Sequence, residues 1–196
     1  MPYAADHKLK TRARIVDSAR VLFNRHGFDA VSIDDVMKNA GLTRGGFYHH
    51  FTSKASLYAA AVSSFTSCNP FAERLEQNPK RRSARELAAL LVDTYLSDET
   101  LADVDKHCPL IALPSDVARA GLQPRAAYTQ LVESMLEVFR AAFPKGDRQG
   151  NRKAQLIVNL CVGGMLIART TDEPTLRKQL RSAARSEALR LLATSE

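Results

Sequence analysis

Several absences narrow what this 196-residue chain can be. It holds only three cysteines, Cys68, Cys108 and Cys161, an odd number at unrelated spacings, so neither a disulfide framework nor a cysteine metal site is expected. It lacks a long apolar run: Leu156 to Ala168 is interrupted by Asn159, Gly163 and Gly164 and is too short to span a bilayer. Lys8, Lys10, Arg12 and Arg14 break up any apolar leader at the N-terminus, so a cytoplasmic protein without a membrane partner is expected. No alternation of Val, Ile or Thr runs long enough for a sheet, which leaves an all-α fold. No phosphate-cradling glycine loop and no metal-ligand spacing occur, and His107 beside Cys108 is only a sequence neighbour, not an oriented Cys–His pair. No enzyme and no cofactor are expected. Internal repeats and low-complexity tracts are also missing.

What is present is basic and unevenly spread. The formal net charge is +7. Residues 1–60 carry nine Lys and Arg against five Asp and Glu, and four of the five histidines. An excess of positive charge at one end suits a phosphate partner, although solubility alone would also account for it.

The stretch Ser32 to Phe51, SIDDVMKNAGLTRGGFYHHF, carries the most information. Ser32 and Asp35 have capping-box spacing, and Ile33, Val36, Met37 and Ala40 fall on one helical stripe. Gly41 suits the left-handed residue that ends a helix, with Leu42 packing back under the turn. Thr43 is placed to cap a second helix whose exposed positions are Arg44, Gly45, Tyr48 and His49, while Phe47 and Phe51 face inward. This is a helix-turn-helix layout, whose second helix enters the major groove of DNA. Before it, Ile15, Ala19, Leu22 and Phe23 line one face of a helix stopped at Gly27; after it, Ser53 caps a helix through Leu57, Tyr58, Ala61 and Phe65.

In order and spacing these elements resemble the DNA-binding domain of the TetR family of bacterial transcriptional regulators, over the first 65 or so residues. The matching pieces are the Ile15–Phe23 stripe before Gly27-Phe28, Val31 to Val36, Ala40-Gly41-Leu42-Thr43, Gly46 to Phe51, and Ser53-Lys54 to Leu57. The resemblance implies an N-terminal three-helix DNA-binding domain, residues 1–52 with the helix-turn-helix at 32–51. A helical effector-binding and dimerisation domain would follow, residues 53–196. It implies a near-palindromic double-stranded DNA operator, a homodimer, and a small-molecule effector of unknown identity.

For DNA contact the chemistry of the segment points to Ser32, Thr43, Arg44, Gly45, Tyr48, His49 and Lys54. Thr43 suits both a helix cap and a phosphate contact. The Arg44 fork matches guanine O6 and N7, with a phosphate contact or a solvated surface position as its alternatives. Tyr48 suits a phosphate or a thymine methyl, and His49 a phosphate. Lys54 resembles the family's phosphate-clamping lysine. Gly45 and Gly46 each cost about 1 kcal/mol of helix stability relative to Ala, a cost that fits either close DNA approach or tight helix crossing. Arg44-Gly45-Gly46 is this chain's own variation, so no operator sequence carries over. Lys8, Lys10 and Arg12 suit an N-terminal arm to DNA or a frayed end.

The rest of the chain reads as helices over Ser83–Leu96, 109–120 bent at Pro114, Leu122–Phe143, Arg152–Thr171 and Pro174–Ala193, with a loop over Ser97–Asp105. Leu156, Leu160, Gly164, Leu180 and Ala184 are the expected dimer interface, by analogy with the family's four-helix bundle. Leu91, Tyr95, Met135, Phe139 and Met165 read as the lining of an effector pocket or as plain core. Cys108 follows Lys106 and His107 and precedes Pro109, a favoured first helical residue, which places it at a helix start that favours thiolate. The stretch Cys108 to Gly121, followed by Arg125-Ala126, also resembles a TetR branch with a Gly-Cys-rich start to this helix, where some members sense electrophiles or oxidants. Here His107 replaces the glycine and Pro114 interrupts the helix. Packing and sensing are both open for Cys108. Cys68 and Cys161 read as structural.

The expected function is therefore a DNA-binding regulator, a repressor released by a small hydrophobic effector or by thiol modification. The alternatives are a transcriptional activator and an architectural DNA binder without sequence preference, which would give diffuse coverage rather than one protected site.

Overall fold

The computed structural model describes residues 2–66, 69–77 and 81–193, with side chains from residue 6 onward except that of Pro70; Cys68 and Asn78-Pro79-Lys80 lie outside the described residues. Among the described residues the regular structure is entirely helical. The chain resolves into two compact units, one of residues 1–66 and 104–131, the other of 67–103 and 132–196.

The first unit is built on α1 (Pro2–Ala30), α2 (Ile33–Asn39), a 3-10 helix at Arg44–His49, and α3 (Lys54–Ser64). Gly27 breaks α1 at φ 78°, a conformation open to glycine at little cost, and Phe28 then turns inward. Its N–H donates to Asp116 Oδ2 at 3.0 Å. Phe28 meets Tyr58 at 4.7 Å between ring centres, and Phe23 meets Tyr58 edge-on at 5.0 Å. Ile15, Ala19, Phe23, Met37, Phe47, Leu57 and Tyr58 form the centre of this core. Truncating such an aromatic to alanine typically costs about 3–5 kcal/mol. The capping boxes form at Ser32 and Ser53, each hydroxyl accepting the N–H three residues on, and Gly41 takes φ 67°. Polar bonds fasten α1 to α2: Ser18 Oγ donates to the Val36 carbonyl at 2.9 Å and Arg14 Nη2 to the Ala40 carbonyl at 2.6 Å.

Residues 104–131 complete this unit. They comprise a 3-10 turn at Val104–Lys106, α7 (Pro109–Ala112), α8 (Pro114–Arg119) and the first part of α9 (Leu122–Arg140). The bend expected at Pro114 is a full break at Leu113. The Asp105 carbonyl accepts from Arg20 Nη1 at 2.5 Å, while its carboxylate receives both arms of Arg25 at 2.5 and 2.6 Å. That pairing holds the Asp105 carboxyl below its usual pKa range. Asn24 Nδ2 donates to the His107 carbonyl at 2.9 Å.

The second unit contains α4 (Pro70–Gln77), α5 (Ala84–Tyr95), α6 (Asp98–Ala102), the end of α9, α10 (Arg148–Thr170) and α11 (Pro174–Ala193). Ser83 supplies another capping box, and Ser97 caps α6, a short helix where a loop was expected. Asp147 caps α10 four residues earlier than the expected start, and α9 ends at Arg140 rather than Phe143. Pro70 opens α4. Where α10 packs on α11, a Cβ added at Gly164 would lie 2.6 Å from Ala184 Cβ. Arg181, 6% exposed, donates through Nη1 to the Leu96 carbonyl at 2.9 Å and through Nη2 to the Asp98 carboxylate. It thus binds the last helix to the end of α5. No helix among the described residues is long and apolar enough to cross a membrane.

Candidate nucleic-acid interface

The segment after Gly41 folds as a 3-10 helix because its anchor is a single aromatic with two glycines before it. Phe47 is fully buried and stacks near Phe51 at 5.7 Å, while Tyr48 meets the Phe47 ring edge-on at 5.2 Å and stays 62% exposed. Thr43, Arg44, Gly45, Tyr48 and His49 are all exposed. Thr43 differs from expectation in one respect: it occupies the cap position, but its side chain makes no capping bond, and its carbonyl takes the Gly46 N–H at 3.1 Å instead. Ser32 is exposed, yet its hydroxyl already serves its own helix. Oγ accepts from Asp35 N–H at 3.1 Å and donates to Asp35 Oδ2 at 2.6 Å, which keeps the Asp35 carboxyl ionised below its usual range.

The two glycines are not required by packing inside the chain. A Cβ at Gly45 would meet nothing within 4 Å, and one at Gly46 would rest against Met37 Cε at 3.6 Å, ordinary contact. Neither has a positive φ. Of the two reasons that the sequence leaves open for paying their helix cost, tight helix crossing is therefore removed.

Lys54 is half-buried at the start of α3. Its Nζ sits 4.2 Å from the Phe28 ring centre and 3.5 Å from the Asp29 carbonyl. Partial burial lowers its pKa, with Asp29 and Asp116 opposing that shift. The ring fixes a long, otherwise mobile side chain. Arg12 does the same over Phe51 at 4.8 Å. Lys8, Lys10 and Arg12 do not form a frayed end: all three lie within α1, and Lys10 pairs with Asp6 at 2.8 Å. His50 sits among these cations. Burial lowers its pKa, and Lys8, His49 and Arg12 push in the same direction.

One contributor escaped the sequence reading. Arg44 Nη1 donates to Asp34 Oδ2 at 2.8 Å, across the turn between α2 and the 3-10 helix. The pair is ten residues apart, outside any helical spacing, so no local pattern announces it.

The remaining expected residues divide between the two units. Cys108 belongs to the first, at the N-cap of α7 as expected, and is only 3% exposed. Leu91, Tyr95, Met135, Phe139 and Met165 belong to the second and are all buried core side chains. Cys161 is also buried, and burial pushes its thiol pKa well up. Of the expected interface residues, Leu156 is exposed and Leu160 and Leu180 are half-buried. Gly164 is half-buried and Ala184 buried, and the two face each other inside one chain.

Comparison with known proteins agrees with this geometry. Residues 15–61, from the core of α1 to the body of α3, match the family described as bacterial regulatory proteins, tetR family. A 149-residue stretch is 26% identical to the uncharacterized HTH-type transcriptional regulator YfiR of Bacillus subtilis (strain 168), covering 74% of this chain and 71% of that protein. A 49-residue stretch is 37% identical to IcaR of Staphylococcus aureus (strain Newman), the HTH-type negative transcriptional regulator of the biofilm operon icaADBC, about a quarter of each chain. The fold is that of the reduced form of NemR from E. coli, with a TM-score of 0.72 and 18% identity over 94% of this chain and 98% of that one. With a helix-turn-helix of this form and a matching domain from Ile15 to Ala61, the chain carries the DNA-binding domain of the TetR family of transcriptional regulators, which are not enzymes.

Proposed function

We propose that this regulator is a homodimeric repressor, in the cytoplasm, that occupies a near-palindromic operator and leaves it when an effector binds. The observation that carries this reading is the Thr43–His49 surface, five exposed positions anchored by the buried ring of Phe47. In this reading Arg44 reads a base edge, Ser32, Thr43, His49 and Lys54 meet phosphates, and Tyr48 meets a phosphate or a thymine methyl. Residues 1–52 act as the DNA-reading part and 53–196 as the sensing and pairing part. Pairing uses Leu156, Leu160 and Leu180 together with the exposed Ile167 and Leu176; Gly164 and Ala184 support it by drawing α10 and α11 together. A single reading head buries too little for tight specific binding, and two-fold symmetry sets the heads about 34 Å apart.

The effector is a small hydrophobic molecule that binds among Leu91, Tyr95, Met135, Phe139 and Met165. Release needs only unequal affinity for two states, a coupling of about 1–3 kcal/mol. A second reading has its own observation: Cys108 begins α7 directly after Asp105 and His107, whose main chain is bonded to α1, so modification of its thiol would disturb a segment fastened to the reading domain.

Footprinting on genomic fragments over a range of salt, with size measurement of the free protein, tests the main reading. One discrete protected site and a dimeric mass are expected, whereas diffuse coverage would point to an architectural binder. Treating wild type and Cys108→Ser with a quinone separates the two release routes. Loss of wild-type binding with retention by the variant supports thiol sensing, and no response in either supports a reversible ligand.

A further inference from the structure

The Asp34–Arg44 pair has a role that stability does not explain. Both side chains are more than half exposed, at 54% and 65%, and a pair in that setting contributes about 0–1 kcal/mol. A carboxylate on a face that meets phosphates also weakens DNA binding at every sequence. What the contact does accomplish is geometric. It occupies Arg44 Nη1 and leaves the Nε–Nη2 edge with its two parallel donors, the arrangement that fits guanine O6 and N7. Gly45, next in the chain, carries no side chain, and apart from its chain neighbours the space where its Cβ would lie is open.

Resting on the operator-binding reading, we propose that Asp34 is a positioning residue that sets base preference by holding the Arg44 fork against one base pair in each half-site. The pair exchanges general affinity for discrimination. Without Asp34 the arginine is free to swing to the nearest phosphate, where it attracts any duplex equally.

Full-length wild type, Asp34→Ala, Asp34→Asn, Arg44→Ala and the Asp34→Ala/Arg44→Ala double variant are each used to select from a random-sequence duplex library, and base preference is read position by position. Melting temperatures show that each variant is folded. The wild type should prefer guanine at one position per half-site by about 5- to 150-fold, the range of a good bidentate contact. Asp34→Ala should lose most of that preference at that position alone, while binding unrelated duplex a few-fold more tightly. Asp34→Asn, which removes the charge but can still accept through Oδ1, should keep a large part of it. In the Arg44→Ala background, removing Asp34 should leave the preference unchanged. An Asp34→Ala profile identical to wild type at every position overturns the inference alone. So does a change of profile by Asp34→Ala when Arg44 is already absent. Failure of the wild type to select any discrete sequence removes the operator reading and this inference together.

Discussion

Gly45→Ala tests the interface most directly, because the structure assigns opposite effects to the free protein and to the complex. In the free protein the new methyl meets nothing within 4 Å, and the backbone there is not in the left-handed region. Only the gain from a less flexible unfolded chain remains, about 0.4–1 kcal/mol, which for a chain of this size is a rise in Tm of roughly 1–4 °C. If DNA approaches the backbone at this point, the same methyl stands where the duplex must lie. One displaced contact costs about 1–3 kcal/mol, or roughly 5- to 150-fold in affinity. Thermal melting by circular dichroism and operator titration at fixed salt read the two effects separately. Gly27→Ala is the contrast: at φ 78°, with Asp116 Oδ2 3.0 Å from the new Cβ, it should lower Tm. A Gly45→Ala protein that melts lower than wild type would refute the packing argument. One that melts higher and binds the operator unchanged would show that DNA does not approach Gly45.

Three further outcomes are expected. Gly164→Ala brings two Cβ atoms to 2.6 Å between α10 and α11 and should cost about 1–3 kcal/mol in overpacking; Ala184→Gly in the same chain should restore much of the lost Tm, and failure to do so would locate the strain elsewhere. Because the folded-state pKa of His50 lies below its ordinary 6.5, the unfolded chain takes up the proton first as pH falls. Stability should therefore decline from about pH 6.5 down to that lower folded value, and His50→Gln, compared by Tm from pH 8 to 5, should show a smaller decline than wild type. Lys54→Ala should weaken operator and non-operator DNA alike and reduce the steepness of the salt dependence by about one charge, and an unchanged salt slope would remove Lys54 from the phosphate contacts.

Much of the reading domain was legible because its signals are local. A cap serine bonds an N–H three residues away, a helix-ending glycine answers to its own φ, and an apolar stripe repeats every three or four residues. Ser32, Gly41, Ser53 and Ser83 all take the roles that this spacing implies. The same logic oriented the second helix of the motif, with Phe47 inward and Tyr48 outward. It did not anticipate the 3-10 geometry of Arg44–His49, because two glycines remove the local preference that would have kept the segment α-helical. Nor did it find α6, whose five residues are too few to show a period.

By itself, then, the sequence determined the helical class, the position of the reading motif and which of its faces meets solvent, since each follows from chemistry within one or two turns of the chain. The tertiary structure decided how distant segments are joined. Asp105, 85 residues beyond Arg20, is bonded to the first helix, and residues 104–131 belong to the same compact unit as the reading motif. The same holds for Asp34 on Arg44, and for Gly164 against Ala184, a small-residue pair that reads equally well as an outer face or an inner seam. Such contacts depend on the path of the whole chain, and no spacing of three or four residues encodes that path.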